Sequence, residues 1–153
     1  PIVDDFFDYV IFCKSLHHVP IDLMQDALIE SRRILNPEKG RLIVLEPSIE
    51  GKFSKLIKPF HDETLVRKKA AESLENFSID GFKNFYLYNY TSIYKYKDFK
   101  SFSSKMSSAT YNDFELNLID SPLVRKNFQL GKSGDFFIFT NPMNVYIFFN
   151  KKS

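Results

Sequence analysis

Two patterns of hydrophobic residues alternate at the start of the chain. Tyr9-Val10-Ile11-Phe12 is apolar at every position and flanked by polar residues. That pattern predicts a strand covered on both faces, as in a parallel sheet. In "VPIDLMQDALIESRRILNPEKG" the spacing changes: Met24, Leu28, Ser31 and Leu35 recur at near-helical intervals, with Ala27 and Ile34 widening the stripe. A helix over about Asp22–Leu35 is expected. Asp22 sits near its start, Arg32 and Arg33 favour its negative end, and Pro37 and Gly40 stop it. Leu42-Ile43-Val44-Leu45 is a second wholly apolar run, closed by Glu46 and Pro47. Strand, helix and strand make one βαβ unit, with the two strands adjacent and parallel and the crossover right-handed.

The remainder is patterned differently. "DETLVRKKAAESLENF" is rich in helix formers and starts with acidic residues at the favoured end. Aromatics crowd the stretch from Phe82 to Phe102, and Tyr86, Tyr88 and Tyr90 share one face if it is extended. "DFKSFSSKM" suits a helix, and "FELNLIDSPLVRKNFQL" a helix interrupted before Pro122. Two apolar runs close the chain, Asp135–Thr140 and Asn144–Asn150. The residues Asn141-Pro142-Met143-Asn144 between them predict a hairpin loop. No internal repeat, low-complexity tract or linker is visible.

Composition narrows the classes. At 153 residues the chain suits one domain. Its 44% hydrophobic and 26% charged residues are ordinary for a globular protein. A net charge of +2 is too small to imply a nucleic-acid partner by field strength. Lys83, Lys95, Lys97 and Lys100 interleave with the aromatics and could stand beside stacked bases, but the balanced charge favours an aromatic-lined lid or plain packing. One cysteine, Cys13, precludes an intrachain disulfide and fits a cytoplasmic, reducing setting. No apolar run is long enough for a membrane span, and no secretory leader opens the chain. No spaced Cys/His set suggests a metal, His61 being far from the other histidines. Cys13 has no base pattern around it and is expected as a small buried filler. His61, Asp62 and Glu63 are expected to start a helix.

Ligands of parallel sheets bind at the carboxyl ends of the strands. Cys13-Lys14-Ser15 and Glu46-Pro47 stand at two such ends. There the sequence resembles a known family: "FDYVIFCKSLHHVP" followed by "ALIESRRILNPEKGRLIVLEP" is similar to the fourth strand, following helix and fifth strand of class I S-adenosylmethionine-dependent methyltransferases. The likeness covers Phe7 to Pro47 in one register, and the later segments look like the rest of such a sheet. The family's glycine-rich first loop and its ribose-binding acid are absent, since the five glycines are scattered.

The resemblance implies an α/β fold, the C-terminal part of a Rossmann-like methyltransferase sheet. It divides into a βαβ core (1–60), a helical and aromatic lid or insertion (61–130) and a C-terminal hairpin (131–153). It implies S-adenosylmethionine as the cofactor of the complete protein and a small molecule as methyl acceptor, with this chain a fragment not competent alone. Cys13, Lys14, Ser15 and His17 would line the cofactor site. His18 and Glu46 are the catalytic candidates, against bland roles as helix cap and strand-end cap. The rival reading is a non-catalytic, methyltransferase-like assembly module. If no further strands precede Tyr9–Phe12, that strand is an open edge, and homodimerisation through it is expected.

Overall fold

The computed structural model describes residues 2–80, 84–109 and 114–149. Phe82 and Lys83, at the head of the aromatic stretch, and Asn150 lie outside them. The chain forms two compact units that interleave along the sequence. One contains Pro1–Pro47, Leu65–Tyr90 and Met143–Ser153, the other Ser48–Thr64 and Thr91–Pro142. The expected divisions at residues 60 and 130 run along the sequence, whereas both units are built from separated segments.

In the first unit the βαβ expectation holds. Strand β1 (Tyr9–Cys13) pairs in parallel with β2 (Arg41–Pro47), with Ile11 opposite Ile43. Helix α1 (Met24–Ile34), entered through a 3₁₀ turn at Ile21–Leu23, connects them. Its stripe is the expected one, with Met24, Leu28, Ser31 and Ile34 buried. Leu35 leaves the helix in extended conformation, and Gly40 closes the turn with its N–H on the Asn36 carbonyl at 2.8 Å. A methyl at Gly40 would stand 2.4 Å from that same carbonyl oxygen.

The sheet order is β1-β2-β5-β3, with β5 (Phe136–Phe149) antiparallel to β2 and placed between it and β3 (Asn84–Tyr96). Val10 and Phe12 turn towards a core built from Met24 and Leu28 of α1, Leu42 and Val44, Tyr146 and Phe148, and Ala70, Leu74 and Phe77 of α3 (Thr64–Asp80). Tyr9 and Ile11 remain 62% and 61% exposed. The expectation that this strand is covered on both faces fails, because α1 and α3 both contribute to the core on one face.

The expected C-terminal hairpin is also corrected. Phe136–Phe149 is one continuous strand, and the Asn-Pro residues lie within it. Pro142 is tolerated there because the ladder to β2 ends at the Pro47–Met143 pair, so no N–H is required of the proline. Its carbonyl instead accepts from the Ser48 N–H at 2.9 Å. The tight turn comes earlier, where Lys132–Ser133 (β4) pairs with Phe137 and Phe136 around Gly134 at φ 57°.

The second unit is an aromatic cluster. Phe128 is fully buried and stacks on Phe137, with Tyr96, Phe99, Phe102 and Phe139 around it. Helices α2 (Lys52–Ile57), α4 (Phe99–Ser107), α5 (Leu116–Ile119) and α6 (Pro122–Gln129) surround that core. Pro122 begins α6 instead of merely interrupting a helix: Ser121 caps it, and proline fits the first turn, where no N–H partner exists. Tyr94 and Tyr96 are spent on packing, whereas Tyr86, Tyr88 and Tyr90 share one face of β3 and are exposed.

Candidate functional site

Strand β1 ends at an abrupt change of backbone. Lys14 adopts φ 55°, in the left-handed region, while its N–H donates to the Leu45 carbonyl at 2.8 Å as the last rung shared with β2. The chain then turns through half-buried Ser15 into a single 3₁₀ turn, Leu16–His18. Ser15 precedes that turn without using its hydroxyl as a cap. Leu16 is fully buried and anchors the turn in the core.

The anchor has a polar counterpart. Glu46, near the end of β2, is 5% exposed, and both of its oxygens are engaged. Oε1 accepts from the Leu16 N–H at 2.9 Å, and Oε2 makes a close hydrogen bond with Nδ1 of His17, itself 4% exposed. A buried carboxylate is tolerated when donors of this kind surround it. Glu46 therefore fastens the end of β2 to the turn that follows β1. Tyr146, opposite Val44 in the ladder, lies at the same end of the core. Burial pushes its hydroxyl pKa up, and the charges of Glu75 and Glu46 add to the shift.

The predicted residues thus divide into two sets. Cys13, Lys14 and His18 are exposed, with Ser15 half-buried beside them. The expectation of Cys13 as a buried filler is corrected: its side chain lies on the uncovered face of β1. His17 and Glu46 are turned inward and hold each other. The His18 ring stands 4.2 Å from the His17 ring, tilted by 40°. Sequence reasoning missed the bond from Leu16 to Glu46, which joins residues 30 apart, and Tyr146, which no local motif marks.

In the second unit, His61, Asp62 and Glu63 do lead into a helix. Asp62 accepts from the Thr64 N–H at 3.0 Å and from its hydroxyl, and these bonds hold the Asp62 carboxyl below its ordinary pKa. His61 Nε2 lies 2.9 Å from Glu63 Oε1, with the ring edge-on to Phe114.

No protein-family model and no curated protein matches the chain. Solved structures do. A candidate methyltransferase of Bacillus halodurans C-125, BH2331, superposes with a TM-score of 0.52 at 20% identity, over 96% of this chain and 65% of its own. The YcgJ protein of Bacillus subtilis gives 0.58 at 16% identity, over the whole of this chain and 68% of its own. At such identities the likeness shows the fold: a Rossmann-like, methyltransferase-type α/β sheet. This chain spans less than two thirds of the length of the first of these structures.

Proposed function

We propose that this chain is the C-terminal portion of a class I methyltransferase that moves a methyl group from S-adenosylmethionine to a small molecule. The carrying observation is the turn at the carboxyl end of β1, held in place by Glu46 of β2. A fold of this type binds its ligands outside the carboxyl ends of its strands. Here that end presents Cys13, Lys14 and Ser15 with their side chains exposed or half-buried.

The residues present fit one side of such a cofactor. Lys14 takes a left-handed backbone where the ladder to β2 ends, and the Ser15 hydroxyl is not committed to capping. Cys13, Lys14 and Ser15 would line the bound molecule, which when present supplies an activated methyl on a sulfonium. His17 serves differently from the expectation: paired with Glu46, it positions the turn from beneath. His18 is the exposed imidazole, suited to orient an acceptor or take its proton. Glu46 acts as a positioning residue, because both of its oxygens are bound within the protein. Methyl transfer in line demands mainly alignment and exclusion of water, so such positioning is a sufficient contribution from this half of a site.

Calorimetry with S-adenosylmethionine tests the reading. The 153-residue chain alone is expected to bind more weakly than micromolar. Each buried polar group of the ligand left without a partner costs about 1–3 kcal/mol, so two or three lower affinity by several orders of magnitude. A form extended at the N-terminus to the length of the similar structures should bind, and Ser15→Trp should abolish that binding. Failure of the extended form to bind would favour the non-catalytic assembly module. Binding indifferent to Ser15→Trp would place the cofactor elsewhere.

A further inference from the structure

On β5, Asn144 and Tyr146 stand inside the sheet, between β2 and β3. Alternation along the strand turns Asn144, Tyr146 and Phe148 to one face, that of Leu42, Val44 and Glu46, which packs against α1 and α3. Asn144 lies directly opposite Glu46, so the two side chains leave the sheet about 5 Å apart, and Tyr146 follows roughly 7 Å along the strand. Two polar groups here have capacity to spare. Tyr146 is only 7% exposed, yet its hydroxyl has no hydrogen-bond partner among the described residues and is not sealed from solvent. A buried phenol ordinarily finds such a partner. The half-buried Asn144 amide is likewise unpaired among the described residues. Glu46 is turned to the Leu16 N–H and the His17 ring instead.

The charges that face this place are negative. Burial raises the Tyr146 pKa, and the carboxylates of Glu75, on α3, and Glu46 oppose its ionisation further. At neutral pH the phenol therefore keeps its proton and stays a neutral hydrogen-bonding group. The field that resists a phenolate also resists a carboxylate or phosphate brought beside it, and draws in a cation. The pair stands next to Glu46, at the carboxyl end of β2, where a fold of this type receives its ligands. On the methyltransferase reading above, on which this rests, we propose that the Tyr146 hydroxyl and the Asn144 amide hold the methyl acceptor, and that the acceptor is a small amine bound as its ammonium ion. The ammonium N–H groups donate to Oη of Tyr146 and Oδ1 of Asn144, two oxygens carried on one face of one strand. Both residues hold and orient the amine, and neither exchanges a proton with it.

Titration of the 153-residue chain without S-adenosylmethionine reads this subsite apart from the cofactor. Benzylamine and benzoate share a ring and carry opposite charges, and amide NMR shifts report where each binds. Benzylamine should move the Asn144 and Tyr146 signals and bind about tenfold or more tightly than benzoate. Tyr146→Phe and Asn144→Leu should each weaken benzylamine by roughly tenfold or more, the worth of one hydrogen bond to a charged group. Both replacements match the size of the original side chain, and their circular dichroism spectra should be unchanged. Benzoate binding as tight as benzylamine overturns the proposal. So does benzylamine affinity that neither replacement alters, or shifts that bypass Asn144 and Tyr146. Failure of the amine beside intact cofactor binding by the extended form would overturn this proposal alone. Amine binding by a protein whose extended form ignores S-adenosylmethionine would overturn the acceptor role and the methyltransferase reading together.

Discussion

Glu46 shows how much one side chain can do at the end of a strand. It neutralises two donors that the turn brings to it, the Leu16 N–H and the His17 ring. Glu46→Ala would leave both buried, and breaking a buried, hydrogen-bonded pair costs roughly 3–5 kcal/mol. Urea unfolding of the variant should show a loss of that size, with a smaller loss for Glu46→Gln, which keeps an acceptor. A change below about 1 kcal/mol would show that the turn is held by Leu16 packing alone. Tyr146 makes a prediction about pH. Its hydroxyl titrates above the ordinary value of 10.0 because burial and the charges of Glu75 and Glu46 oppose ionisation. The unfolded chain therefore releases this proton first. The stabilising contribution is complete below pH 10 and declines as pH rises through the folded-state value. Melting temperatures should fall in that alkaline range, and less steeply for Tyr146→Phe.

At the scale of elements, α2 is the helix whose start no local pattern reveals. Its N-cap position is Gly51, which has no side chain to offer. Asn141 of β5 takes over: its Oδ1 accepts from the Ser54 N–H at 3.3 Å and the Ser54 hydroxyl at 2.8 Å. A methyl group at Gly51 would lie 1.6 Å from that oxygen, so the glycine makes room for a distant cap. Asn141→Ala should cost about 1–2 kcal/mol, in the range of a lost N-cap. Gly51→Ala should destabilise too, by expelling the Asn141 amide. The double variant should lose less than the sum, since one change removes what the other displaces. Read along the chain, Asn141-Pro142 is a turn signal; here Asn141 caps α2 and Pro142 lies just past the end of the β2 ladder.

For the whole molecule, the order β1-β2-β5-β3 places β2 and the later half of β5 inside the sheet, each with a strand on both sides. Their amides, together with the fully buried Leu42, Val44 and Phe148, belong to the best-protected part of the first unit. Native-state hydrogen exchange should be slowest on β2 and on Met143–Phe149. In the 153-residue chain the amides of Tyr9, Ile11 and Cys13, which alternate with the rungs to β2, should exchange faster than those of Val10 and Phe12. Equal protection of the odd- and even-numbered amides of β1 would contradict that pairing.

The sequence alone determined what depends on near neighbours. Apolar runs specified β1 and β2, the Met24–Leu28–Ser31 stripe specified α1, and the short crossover made the strands adjacent and parallel. The residues of the candidate turn were legible as well, because a polar run after an apolar one marks the place where a sheet meets solvent. Tertiary structure decided the rest. Whether Tyr9 and Ile11 are covered depends on where the helices pack, and an apolar side chain does not encode which face receives them. Whether Asn141-Pro142 bends the chain depends on where the β2 ladder stops and on the α2 N–H groups that need a cap. Which histidine turns inward was settled by Glu46, 29 residues beyond His17. A carboxylate buried there can be satisfied only by donors that folding brings to it.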